Sequence, residues 1–450
     1  MPTQDLHGLA LSASSSEAAR AFNVAIEGYL GYRADAPQRL RALLAVDPDF
    51  AMAQTLKGYF SMLAFNLASV PSARKALEAA RALSQNTTRR EQAHVAALAH
   101  WIDGDIDATL ATWEQILADH PLDVLAFRLH HFLAFWYGRP ETMTKQADQA
   151  YRQWSPQLAG WSSLLACRCF AHEETGNYAV AEAAGREAIA LDASDLWAAH
   201  GVAHVLEMQG RREEGIAWLA GLEPNWENGN NLKHHLWWHR GLYHFERREF
   251  AEVLGLYDRC FRNLDSPLTQ AQPDMYIDIQ NAASMLFRLE RHGVNAGARW
   301  TELADKAEAR IGDCLSAFTL PHWMMALTAT RRWDAAGRML DGMRSFAAAG
   351  IGTAAPLVRD CALPICEALL ARAKDDPARA CDLMRPALAG MYRLGGSHAQ
   401  QDVLEQLFLD CAVRAKRSDD VDALLARVSQ RHPVAPDKRM GYAGAASKAN

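Results

Sequence analysis

The sequence predicts an all-α fold, a solenoid of helical hairpins stacked one on the next. Three observations carry that prediction: glycines recur 34 residues apart, small residues follow Gly176 at helical spacing, and the period-two alternation of strands is nearly absent. The segment ETGNYAVAEAAGREAIALDAS places Tyr178 two residues after Gly176, with Ala181 and Ala188 on the helix that follows. Small side chains at those positions let two helices approach closely. The next turn, EMQGRREEGIAWLAGLEP, sets Gly210 34 residues beyond Gly176. Upstream, WIDGDIDATLATWEQILADHP and FWYGRPETM set Gly104 and Gly138 the same distance apart, with Trp113 at the large-residue position and Pro121 closing the second helix.

A period of 34 with this small-and-large pattern is that of the tetratricopeptide repeat. The expected architecture is therefore a tetratricopeptide-repeat-like right-handed superhelix with degenerate repeats. Residues 1–435 form one solenoid in this reading, and residues 436–450, ending KRMGYAGAASKAN, form a disordered tail too poor in large apolar residues to hold a fold. Other units depart from the consensus. LLAVDPDFAMAQTLKGYF reads as a junction around Pro48, YHFERREFAEVLGLYDRC has Arg247 where glycine is usual, and ALTATRRWDAAGRMLDGM has Arg331 or Arg332 there. Gly138 and Gly176 are 38 apart, which predicts a longer loop from Arg139 to Ser155. Helix starts are signalled by Ser14 with Glu17 three residues on, a capping-box spacing, and by Asp192 and Ser194 ahead of the run from Leu196 to Met208.

Composition narrows function more than it names it. The 450 residues carry 47 Lys and Arg against 53 Asp and Glu, a net charge of −6, which gives no electrostatic reason to bind nucleic acid or an anionic membrane. No apolar run approaches the roughly 20 residues that span a bilayer, and the N-terminus shows neither a basic segment nor an apolar core of a signal peptide. A cytoplasmic location is expected. The eight cysteines show no paired zinc-ribbon spacing and read as reduced, mostly buried thiols, with Cys167 and Cys169 on different faces of a helix. Trp101, Trp113, Trp218, Trp333 and Trp136 read as core. The pairs Arg89/Arg90, Arg211/Arg212 and Arg331/Arg332 read as solvated cations at helix ends.

Several phrases, GYRADAPQRLRALLAVDPDFAMAQTLKGY, HGVAHVLEMQGR, KHHLWWHRGLYHFE, DIQNAASMLFRLERHGV and GGSHAQQDVLEQ, resemble the tetratricopeptide repeat protein 38 family over residues 28 to 410. The resemblance implies a helical repeat fold and brings no particular reaction. LPHWMMALTATRR departs from the small polar run that the family carries around the residue corresponding to His322.

Seventeen histidines, many on the first helices that would line a concave face, mark the candidate site. His200 and His204 are four apart, Glu207 follows three later, and all three share a helical face. His235 and His239 repeat the spacing, with Trp238 between them. His130 and His131 lie earlier in the chain; Asp278, His322, His398 and Asp402 lie later. Imidazoles at this spacing with a nearby carboxylate suit a divalent metal, although no H-E-x-x-H signature is present. They suit metal-free proton transfer equally, with His204, His239 or His398 exchanging a proton and Glu207, Asp278 or Asp402 fixing its tautomer. Each ring could instead be packed between helices with its nitrogens satisfied locally.

The preferred reading is a binding protein that takes a small molecule or peptide in its groove, with His130, His131, His200, His235, Trp238, His322 and Asp402 as contacts. The alternative is a hydrolase or proton-transfer enzyme using His204, His239, His398, Asp278 and Glu207. First helices rich in His, Trp and Tyr, rather than Lys, Arg and Asn, argue against capture of a peptide carboxylate.

Overall fold

The structure is a computed structural model and describes residues 3–446. Helical hairpins fill it. A single pair of two-residue strands, Thr3–Gln4 against Ala10–Leu11, accounts for the sheet among the described residues. The chain is all-α with a tetratricopeptide-like hairpin repeat.

The turns give the repeat its register. Every hairpin, from Ser16–Leu30 with Ala36–Val46 to His398–Arg414 with Ser418–Arg431, reverses at a residue with positive φ: Tyr32, Phe65, Gly104, Gly138, Gly176, Gly210, Arg248, Gly293, Arg331, Asp375 and Lys416. A left-handed residue just past the helix end lets backbone N–H groups reach back to the last carbonyls. Arg248 N donates to Phe245 O and Glu249 N to His244 O, so the glycine-equivalent position there is Arg248 and not Arg247. Six of these residues carry a Cβ, each at a cost of about 1–2 kcal/mol. The geometry of the turn is kept where the glycine signature is lost, and that hides the repeat from a search for glycines.

Residues expected as a long loop from Arg139 to Ser155 are instead helix, Pro140–Gln153. The four residues beyond the 34-residue period lengthen the link to the helix Trp161–Glu174, where Gly160 takes φ 87°. Helix caps also differ from the expected ones by a residue. Ser15, not Ser14, caps Ser16–Leu30 by accepting from Ala18 N, and Asp195 caps Leu196–Met208 by accepting from Trp197 N and Ala198 N.

The chain divides into two compact units, Met1–Val202 with Leu222–Leu232, and Ala203–Gly221 with Lys233–Asn450. In the first, Trp113 is fully buried and meets Tyr59 and Trp101 edge-on, with ring centroids 5.7 and 5.6 Å apart. Its Nε1–H donates to Tyr59 Oη at 3.2 Å, which satisfies the indole. Gly58 is there because a Cβ would sit 2.3 Å from a methyl of Leu98. In the second unit the helix Tyr276–Arg291 packs against Leu320–Ala329 and His398–Arg414.

Trp101, Trp113 and Trp136 are buried as expected, whereas Trp218 and Trp333 are only half-buried. Arg90 stands at the start of Arg89–Ile102, not at a helix end facing solvent. It is 5% exposed and paired with Asp123 at 2.7 Å. All eight cysteines are free thiols, seven of them buried. Residues 436–446, expected within a tail, pack Arg439 and Tyr442 against Asp402; residues 447–450 lie outside the described residues.

Candidate functional site

In the second unit, three imidazoles meet. His204 comes from Leu196–Met208, and His235 and His239 come from Leu232–Glu246, one helical turn apart on the same face. The ring centroids of His204 and His239 are 4.3 Å apart and those of His235 and His239 are 4.7 Å apart. Each ring offers a nitrogen within 4.8 Å of those of the other two, a spacing that one metal ion could bridge. All three are buried to within 1%. His200 stands one turn before His204 on the same helix.

Neighbouring polar groups orient the rings. His239 Nδ1 lies 2.9 Å from Glu207 Oε2, and His235 Nδ1 lies 2.8 Å from Asn281 Oδ1. Trp238 stacks flat on His235, with planes 12° apart, and presents an edge to His239. Burial, with the positive neighbour Arg288, lowers His239 to about 3; burial and the adjoining histidines hold His204 well below its ordinary value. Burial raises Glu207 to about 8 against the pull of Arg288. The His239–Glu207 contact is thus a hydrogen bond between uncharged groups at neutral pH, not an ion pair. Glu207 also faces a cavity of about 30 Å³, lined with Arg288, Asp402, Arg439 and His432, which has room for one or two waters.

The other expected residues have different tasks. Asp278 Oδ2 pairs with His234 at 3.1 Å. Asp402 binds Arg439, Tyr442 and Gln406, with Arg288 at 3.5 Å, so its carboxylate is committed to holding the chain together. His398 begins the helix His398–Arg414, and burial lowers it to about 4. His322 directs Nδ1–H to Phe318 O at 2.9 Å, the satisfied-core arrangement, and burial lowers it to about 4.

That shift has a sign. A neutral buried His322 binds its proton less readily than in the unfolded chain, so its contribution to stability is whole above pH about 6.5 and is lost as pH falls towards 4. Between pH 7 and 5, wild-type protein is expected to lose about 2 kcal/mol more stability than His322→Gln. The comparison is needed because raised Glu207 acts in the opposite direction over this range. Urea midpoints at the two pH values measure it, and equal losses in both proteins would refute it.

His130 and His131 belong to the first unit. His130 Nε2 meets Glu114 Oε1 at 3.1 Å, beside a cleft of about 400 Å³ between the helices Ile106–Asp119 and Pro140–Gln153. His131 is 1% exposed, and among the described residues neither of its ring nitrogens has a hydrogen-bond partner.

Sequence reasoning passed over Asn281, Arg288, Arg439 and Arg128. Asn281 and Arg288 lie on Tyr276–Arg291 and Arg128 on Val124–Trp136, both first helices, which were expected to lack Arg and Asn. A check of charged residues at apolar helix positions, such as Arg128 in VLAFRLHHFLAFW, would have found it.

No family model matches the chain. Among solved structures it is similar to yeast Tom70, with 12% identity over 95% of this chain and 86% of that one and a TM-score of 0.38. It is also similar to Naa15/Naa10 bound to HypK-THB, with 13% identity, 92% and 68% covered and a TM-score of 0.26. The TPR domain of P58(IPK) gives 13%, 70% and 88%, and 0.21. The tetratricopeptide-like assignment stands on the hairpins and their left-handed turns. No helix among the described residues is long and apolar enough to cross a membrane.

Proposed function

We propose that this chain is a ligand-binding repeat protein whose second unit holds a divalent transition-metal ion on His204, His235 and His239. The convergence of three ring nitrogens within 4.8 Å carries the reading. Neutral imidazoles are the ligating form, and a carboxylate or amide behind each ring is the usual means of fixing which nitrogen faces a metal. In the metal-bound state Nδ1–H of His239 donates to the Glu207 carboxylate and Nε2 offers its lone pair; Asn281 Oδ1 accepts from Nδ1–H of His235 in the same way. Zinc, cobalt and copper suit such a donor set.

Protein purified without a histidine tag and stripped with chelator is expected to bind one equivalent of Co²⁺ with a tetrahedral-type visible spectrum. His235→Gln and His239→Gln should each weaken binding at least 100-fold, and Asn281→Ala about 10- to 100-fold. Binding that is absent in wild type, or unchanged in the variants, would sink the reading.

A second reading, proton-transfer or hydrolytic catalysis, is favoured by the Glu207–His239 hydrogen bond beside the small polar cavity. It requires turnover that Glu207→Gln abolishes while the fold is retained.

A further inference from the structure

We propose that the first unit contains a separate binding site for a small organic carboxylate with an apolar body, recognised by Arg128 together with Tyr29, His131 and Trp197. Arg128 is 2% exposed, in the middle of the apolar helix Val124–Trp136. It donates to the Tyr32 hydroxyl and to Cys167 Sγ at 3.6 Å. Its guanidinium carbon lies 5.1 Å from the Tyr32 ring and 4.9 Å from the Trp197 ring. Among the described residues no carboxylate comes within ion-pairing range. The nearest acid acting on it, Asp195, is committed to capping Leu196–Met208 and to accepting from Ser162 Oγ at 3.2 Å.

A buried guanidinium without a carboxylate partner is costly, because ring faces and neutral acceptors offset its desolvation only in part. Two of its five N–H groups are used on neutral partners, which leaves a planar edge of the kind that carboxylates match.

The atoms around it point the same way. The Tyr29 hydroxyl, both His131 nitrogens and Trp197 Nε1 are buried without a hydrogen-bond partner among the described residues. His131 lies 6.0 Å from Trp197 and 6.1 Å from Phe170, ring centre to ring centre. One unsatisfied polar atom in a core is an irregularity; here three donors, the Tyr29 hydroxyl, one His131 N–H and the Trp197 Nε1–H, gather near one cation that has no carboxylate partner, and the other His131 nitrogen is an acceptor. A single positive charge matches a monoanion and not a phosphate dianion, which would require a second cation. Phe127 and Phe170 beside His131 and Trp197 make the surroundings aromatic, which suits an aryl or alkyl body.

The test is thermal unfolding of the full chain with benzoate, hexanoate and inorganic phosphate, each compared in wild type, Arg128→Met and His131→Phe. Benzoate or hexanoate is expected to raise the wild-type midpoint in a saturable way, and phosphate is not. Arg128→Met should lose the carboxylate response entirely while unfolding, without ligand, at or above the wild-type temperature, since it removes an unpaired buried charge. His131→Phe should weaken the response at least tenfold with the fold intact. A wild type indifferent to both carboxylates, or an Arg128→Met variant that keeps the response, would overturn the proposal. So would an Arg128→Met midpoint well below wild type in the absence of ligand, which would show that Arg128 is compensated internally and that water alone serves the remaining atoms. A response to phosphate instead would overturn the carboxylate assignment.

Discussion

Asp402→Ala is expected to destabilise the second unit by about 3–5 kcal/mol, the cost of leaving buried cations without their anion. Asp402 is 8% exposed and lies on the helix His398–Arg414. Its Oδ1 accepts from Arg439 and, at 2.6 Å, from the Tyr442 hydroxyl; its Oδ2 accepts from Gln406 at 2.6 Å. Burial would raise this carboxyl, but Arg439 and Arg288 outweigh burial and hold it well below the usual carboxylate range. Removing it strands Arg439, whose remaining neighbours are the Tyr442 ring and more distant acids. Two measurements check this. Urea unfolding should show the loss, and limited trypsinolysis at Lys438 and Arg439 should become fast in the variant while wild type resists. A change under about 1 kcal/mol with unaltered proteolysis would mean that the segment is held by its apolar contacts alone.

Asp123→Ala is expected to have an effect of similar size, about 3–5 kcal/mol, in the first unit. Asp123 Oδ2 lies 2.7 Å from Arg90 and 3.0 Å from His94 Nε2, both buried, and Oδ1 caps the helix Val124–Trp136 through Ala126 N at 2.9 Å. One carboxylate thus serves an ion pair, a histidine and a helix start. Its loss leaves Arg90, 5% exposed, with the Ala10 carbonyl at 2.9 Å and the more distant Asp5 at 3.6 Å. Burial would raise Asp123, yet His94 and Arg90 lower it far below its ordinary value. A depressed acid stabilises the fold above its unfolded pKa near 4, and the contribution is lost as pH falls below that value. The wild type should therefore lose stability more steeply below pH 4 than Asp123→Asn, which has no carboxylate to titrate. Parallel acid curves, or a Asp123→Ala cost under 1 kcal/mol, would contradict the assignment.

The metal and carboxylate proposals use different residues in different units, and their variants can be combined. His239→Gln should leave the benzoate response intact, and Arg128→Met should leave Co²⁺ binding intact.

Much of this protein was legible in its sequence. The 34-residue spacing of Gly104 to Gly138 and of Gly176 to Gly210 places hairpin turns where the backbone has them, because a left-handed residue favours glycine strongly enough to leave a trace. The i, i+4 spacing of His235 and His239 put both rings on one face, since helical geometry is local. Tertiary structure decided the rest. The turns at Arg248, Arg331, Asp375 and Lys416 carry no glycine, and only the folded backbone reveals them. Asp278, Asp402 and His322 had the same composition-level credentials as Glu207 and His239. Which acid faces which ring depends on how helices from distant parts of the chain meet, and Asp402 was taken by Arg439, 37 residues away. The apolar run around Arg128 marks it as an unusual arginine, but its burial without a carboxylate arises from what Tyr32, Cys167 and Trp197 place around it. Helical periodicity fixes the face of a side chain, but the partner across that face, and hence its charge and chemistry, is set by packing.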